Sequence, residues 1–192
     1  MSQNKHSPIK TVKQFLQTYG LADGVWIIQT DQDGELSKST LFRKVLQDFN
    51  YSIKVTGADN SSQNGVAERP HRSLANMVRT GIENAALPYK YWSDTLLHAA
   101  FIHNRLPHSH FQNKSTLYEQ LTDIKSDLSK LRIFGSWIIT RKPGHHNPKI
   151  PKHSYSGIIL RYAKTVKNIV YLDTKTNRIQ TIAYAKFDEA HF

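Results

Sequence analysis

The chain has 192 residues, 39% of them hydrophobic and 21% charged, enough apolar content for a folded core and too much for wholesale disorder. No stretch approaches the roughly 20 apolar residues of a membrane span, and the first residues, MSQNKHSPIK, lack the apolar run of a signal peptide. The absence of cysteine and a net charge of +11 exclude a disulfide scaffold or thiolate zinc site within this chain and suggest an intracellular protein with a polyanionic partner and no membrane partner.

In chain order, Val12, Phe15, Leu16 and Tyr19 recur at helical spacing, with Gly20 as a stop. Val25 to Ile28 is a short apolar run bounded by turn residues and reads as a buried strand. Leu41, Phe42, Val45, Leu46 and Phe49 predict a second helix, capped by Ser39 or Thr40. Tyr51 to Val55 alternates as a strand does, and Thr56 to Asn64 is rich in turn residues and reads as a loop. A longer helix follows, with Leu74, Met77, Val78, Gly81 and Ile82 on one face and Arg69, Arg72, Asn76 and Arg79 mainly elsewhere. Leu87-Pro88 ends it. The next helix, capped by Ser93 or Asp94, is apolar almost all round from Leu96 to Ile102, as for a helix buried among others.

From about Phe134 the texture changes. Short β-rich runs at 137–140, 157–160, 169–172 and 179–184 predict four strands, a small barrel or meander. Arg141 to Ser154 reads as a proline-containing loop and Asp173 to Asn177 as a hairpin turn. The expected boundary falls between about 122 and 133, giving domains at 1–125 and 131–192. Residues 1–68 hold 7 basic and 7 acidic side chains, residues 69–192 hold 19 and 8, and the window 130–186 holds 12 basic residues against Asp173 alone. Such a surface suits nucleic acid, although a solvated basic face without a partner gives the same count.

Two acids stand out by position. Asp31 directly follows an apolar strand, and ligands of α/β sheets collect at the carboxyl ends of strands. Glu68 is expected in the first turn of the helix after the 56–64 loop, where the helix N-terminus favours a carboxylate. A helix and a strand fit between them, so the two carboxylates can converge on a hard cation such as Mg²⁺. An ordinary turn acid and an ordinary helix-start acid would look the same. His145-His146 has no third ligand nearby and reads as exposed.

At this point the residues carry a resemblance. Gln29 to Leu36, QTDQDGEL, is similar to the TDxGGE signature of retroelement integrases, with Asp33 in place of a glycine. Gln63 to Arg69, QNGVAER, resembles their QNGxAER signature, and the Asp31–Glu68 spacing is close to that behind the name D,D-35-E. LPYKYWSDTLLHAAFIHNRLP resembles the helical segment that follows in copia-type elements. LRIFGSWIITRKP and FDEAHF resemble their appended β-domain, so the likeness runs from about residue 9 to the end.

The resemblance implies an α/β fold: a partial ribonuclease-H-like integrase core followed by a small SH3-like β-barrel. It implies DNA integration by metal-dependent phosphoryl transfer, with Asp31 as second and Glu68 as third of three carboxylates holding Mg²⁺ or Mn²⁺. Asn64, Arg69 and Arg72 fall where the family's loop and helix approach DNA ends. Arg141, Lys142, Lys149 and Lys152 form one basic loop group, and Arg161, Lys164 and Lys167 a second. The implied partners are retroelement ends and target DNA; a homo-oligomer is compatible with the likeness, and nuclear action follows from it alone. The family's first acid belongs on an earlier strand, and this chain has no Asp or Glu before Asp23, so the expectation is an N-terminally truncated core that is catalytically inactive in isolation. A non-enzymatic nucleic-acid-binding module and a decayed reading frame are the alternatives.

Overall fold

In a computed structural model of the chain, residues 8–20, 26–31, 35–56, 61–109, 111–141, 154–163 and 168–190 are described. They fall into two units, Met1–Pro70 and His71–Phe192. Both expected domain limits, 125 and 131, lie inside the second unit.

The first unit alternates helix and strand. Helix α1 (Pro8–Tyr19) precedes strand β1 (Trp26–Asp31), then a four-residue helix α2 (Glu35–Lys38), α3 (Thr40–Asp48) and β2 (Tyr51–Thr56). The two strands pair in parallel, in register from Trp26 opposite Tyr51 to Asp31 opposite Thr56. A parallel connection needs a crossover of a dozen or more residues, and the segment carrying α3 supplies it. Ser39 is the residue that caps α3: its side chain accepts a hydrogen bond from the Phe42 backbone N–H, satisfying one of the donors a helix start leaves free.

Leu16, Phe42, Val45 and Leu46 are buried together, with Ile28 and Ile53 packed against them from the sheet. Burial of each such side chain contributes about 1.5–3 kcal/mol. The Val25–Ile28 run is not buried as expected: Val25 lies outside the described residues, and Trp26 is 39% exposed. Ile28 is half-buried, whereas Ile27 is 62% exposed. Successive strand residues point to opposite faces, and the core packs on one of them.

The second unit contains most of α4 (Ser61–Asn84), then α5 (Trp92–His103), α6 (Leu117–Thr122) and strands β3 (Trp137–Arg141), β4 (Ser154–Tyr162), β5 (Ile169–Asp173), β6 (Arg178–Ile182) and β7 (Lys186–Asp188). The apolar face expected for α4 is present: Ile82 is buried, and Leu74, Met77 and Val78 are half-buried. Helix α5 is not buried all round, since Trp92 and Leu97 are 46% and 56% exposed. Helix α6 starts at a capping box, with the Thr116 hydroxyl accepting from the Glu119 N–H and the Glu119 carboxylate accepting from the Thr116 N–H.

All five strands form one antiparallel sheet in the order β6-β5-β4-β3-β7. The four expected strands are there, with β7 as a fifth beside β3. Every residue of β5 is buried. Ile169 and Tyr171 join Ile138, Ile159 and Tyr162 in one core. Leu172 and Leu160 join Ala85, Tyr91 and Phe134 in another. An irregularity between Ile159 and Arg161 shifts the register of β4 on β5, as a bulge does, and the adjacent Ile159 and Leu160 serve different cores. Glycine is required at 157, where a Cβ would lie 2.4 Å from a Tyr171 ring carbon and 2.6 Å from the Leu172 carbonyl oxygen.

Asp173, the single acid of the basic window, is fully buried and caps the β5–β6 turn. Its carboxylate accepts from the N–H groups of Lys175 and Thr176 and from the Gln180 amide. Burial opposes its ionisation, but these hydrogen bonds prevail and hold the carboxyl below its ordinary range.

Candidate metal and nucleic-acid site

Asp31 is the last residue of β1, directly opposite Thr56 at the end of β2. It therefore stands at the carboxyl end of a parallel pair, as expected. Glu68 stands elsewhere than expected. Helix α4 already begins at Ser61, so Glu68 is exposed about two turns inside it rather than in the first turn. The field of a helix N-terminus fades within that first turn, so it no longer explains a carboxylate here. The 56–64 segment misleads because Ser61, Ser62 and Asn64 are turn formers and Gly65 is a poor helix residue. Residues 57–60 lie outside the described residues.

Both acids belong to the first unit. How closely their carboxyl groups approach turns on the Asp31 side chain, which is outside those described. Among the described residues no group of three or more His, Asp or Glu side chains is placed to hold a metal ion.

Asn64 lies within α4, and Arg69 and Arg72 project from it, exposed. Asn76 and Arg79 continue the same stripe at helical spacing, and the Arg79 guanidinium donates to the Asn76 amide oxygen at 3.2 Å. Pro70 sits inside the helix, where it removes one backbone donor. Arg141 ends β3 opposite Ser154. Lys142, Lys149 and Lys152 lie outside the described residues, as do His145, His146, Lys164 and Lys167.

Arg161 requires a correction. The sequence places it in a basic group free to meet phosphate, but its Nε lies 2.7 Å from the Asp94 carboxylate, with both side chains partly buried. The pair ties β4 to α5 and commits the Nε donor of Arg161 to a carboxylate rather than to a phosphate.

One buried group has no signal in the sequence. His98 of α5 is 6% exposed, its ring stacked on Tyr162 at 5.2 Å and edge-on to Phe134 at 5.7 Å. Burial lowers its pKa to about 4, against a smaller opposing effect from a hydrogen bond to the backbone of Arg132. It is therefore a neutral imidazole at physiological pH. No described helix is long and apolar enough to cross a membrane.

No protein-family model matches the chain. It is 28% identical over 129 residues to the retrovirus-related Pol polyprotein from transposon RE1 of Arabidopsis thaliana, a match covering 67% of this chain and 9% of the polyprotein. It is 27% identical over 163 residues to the transposon Ty1-LR3 Gag-Pol polyprotein of Saccharomyces cerevisiae, covering 83% of this chain and 9% of that one. Among solved structures, a simian T-cell lymphotropic virus intasome in complex with PP2A regulatory subunit B56 gamma aligns with a TM-score of 0.46 and 15% identity, covering 93% of this chain and 62% of that one. The chain thus spans about a tenth of the curated polyproteins it matches; over most of its own length it is similar to a segment of retrotransposon Pol polyproteins.

Proposed function

We propose that this chain is part of a retroelement integrase, with a ribonuclease-H-like catalytic-core region and an SH3-like β-domain. The observation that carries this reading is the similarity to Pol polyproteins, taken with Asp31 and Glu68 in integrase-like motifs. The position of Asp31 at the carboxyl end of a parallel strand pair supports it. The strand order, a four-strand meander whose fifth strand returns to the first, supports the β-domain assignment.

Asp31 and Glu68 are hard oxygen donors in a chain without cysteine, a donor set that fits Mg²⁺ or Mn²⁺. They are the residues that would hold such an ion, which when bound polarises a phosphoryl oxygen for in-line displacement. The bulk of DNA binding falls to the exposed stripe from Arg69 to Arg79, with Asn64, and to the basic group Arg141, Lys142, Lys149 and Lys152. These residues grip phosphates and position DNA without reading its sequence. Asp31 and Glu68 correspond to the second and third acids of the integrase pattern. Action on DNA in the nucleus is part of the same proposal.

The test is a DNA-binding titration at several salt concentrations, using the chain and two variants. One variant replaces Arg69, Arg72 and Arg79 with Ala, and the other replaces Arg141, Lys142, Lys149 and Lys152. Each phosphate that a variant no longer neutralises lowers the slope of log K against log salt by about 0.9. The reading requires the slope of at least one variant to fall by about 1.8 or more, to a similar extent on unrelated DNA sequences. Salt-independent binding, or none at low salt, overturns it.

A further inference from the structure

Within the second unit, the connection from α4 to α5 carries two aromatic side chains that the cores do not use. A single 3₁₀ turn, Tyr89–Tyr91, leads directly into α5. Tyr89 is 74% exposed, and Trp92 is exposed as well. The Trp92 N–H donates to the Tyr89 carbonyl, so the two residues stand one 3₁₀ turn apart, where side chains at i and i+3 project in the same direction. Among the described residues neither ring stacks on another. One exposed apolar residue needs no explanation, but two large rings on the same side of one turn make a patch.

The residue between them fixes that patch in place. Tyr91 is buried in the core with Ala85, Phe134, Leu160 and Leu172, and its carbonyl accepts from the Thr95 hydroxyl at 2.9 Å. Lys90 is exposed, and its Nζ stands 5.0 Å from the Tyr91 ring centroid, close enough for cation–π attraction, so a cation is held at the same turn. No acid lies between Asn84 and Ser93, and the Asp94 carboxylate is paired with Arg161. The surrounding sequence, residues 69–192, holds 19 basic side chains against 8 acidic ones.

We propose that Tyr89 and Trp92 form a stacking platform for unpaired bases of single-stranded DNA, with Lys90 meeting an adjoining phosphate. Every base has a flat π-face that stacks on an aromatic ring regardless of sequence, and in a single strand that face is open to a protein. Rings fixed on a buried anchor lose little conformational freedom on binding, which favours affinity. Charge selects the occupant: the positive surplus attracts an anionic strand, repels a cationic peptide, and gives a purely apolar partner no use for Lys90. The choice of DNA over RNA rests on the integrase reading, whereas the single-stranded form rests on the exposed rings.

The full chain is titrated against a labelled oligothymidylate of about 12 nucleotides and against duplex DNA of the same length, with fluorescence anisotropy as the readout. Tyr89→Leu combined with Trp92→Leu keeps apolar surface but removes both rings. It should weaken single-strand binding at least about fivefold while duplex affinity and the thermal unfolding midpoint stay unchanged. Tyr89→Phe combined with Trp92→Phe keeps two rings and should retain most of the single-strand affinity. Lys90→Ala should lower the salt slope of single-strand binding by about 0.7, the worth of one phosphate contact. Undiminished single-strand affinity in the folded double-Leu variant, or an equal loss on the duplex, overturns the platform and leaves the integrase reading standing. That reading fails separately, through duplex binding that ignores salt. Failure of the native chain to bind the oligothymidylate at low salt also overturns the platform, and tighter binding of oligouridylate than of oligothymidylate overturns its assignment to DNA.

Discussion

The parallel pair β1–β2 and the antiparallel sheet β3–β7 are stabilised in different ways. Strand β5 is buried at all five positions, serving a separate core on each face. Among the described residues strand β1 has a core on one face, and Ile27 on the other is 62% exposed. Parallel strands are ordinarily covered on both sides, so the first unit is thinly packed for its topology. The residues with candidate metal chemistry, Asp31 and Glu68, both belong to this thin unit, whereas the deepest packing belongs to the unit without them. Packing and chemistry are divided between the two regions.

The sharpest way to break that comparison is Phe42→Ala. Phe42 is 1% exposed in the core of the first unit, and its truncation should cost about 3–5 kcal/mol. Native-state hydrogen exchange should then show loss of protection confined to α1, β1, α3 and β2, with β3 to β6 unchanged. An equal loss across both regions would show that they unfold together.

Acid should do the converse and weaken the second unit. The pKa of His98 is about 4 in the folded chain, against an ordinary value of 6.5. Between those values the unfolded chain binds a proton that the native chain does not. Stability is therefore full above pH 6.5 and falls as pH drops towards 4, by roughly 3 kcal/mol in all. Denaturant midpoints measured from about pH 7.5 to pH 4 should follow that course, and His98→Gln should flatten it. An unchanged slope in a folded His98→Gln variant would assign the acid sensitivity to other groups.

The smallest effect sharpens the division of the basic residues. Arg161→Met keeps the apolar stem but breaks the partly buried ion pair with Asp94. A loss of about 1–3 kcal/mol in stability is expected, by leaving a carboxylate without its partner. The salt slope of DNA binding should stay the same. A flatter slope would return Arg161 to the residues that meet phosphate.

Much of the fold is legible in the sequence because it is local. The period of Phe42, Val45 and Leu46 marks α3, and Ser39 announces its cap. The β-rich runs after Phe134 mark four strands, and Asp173 to Asn177 the turn between two of them. Helix α6 carries a signal too, since Thr116 and Glu119 stand at the capping-box spacing, but its apolar pattern is too short to single it out. The start of α4 is hidden because Ser61, Ser62, Asn64 and Gly65 all favour turns, and tertiary context overrides that propensity. Strand β7 has only three residues and exists by pairing with β3.

The sequence by itself determined where most helices and strands fall, the charge imbalance, and the motif positions of Asp31 and Glu68. Those features depend on neighbours a few residues apart, and periodicity and capping report them. Only the tertiary structure decided that Ile27 of β1 is exposed, that Arg161 pairs with Asp94 67 positions away in the chain, and that His98 is buried with a nitrogen unpaired among the described residues. Each of these depends on which distant surfaces meet, and burial and electrostatic pairing are set by that meeting rather than by local spacing.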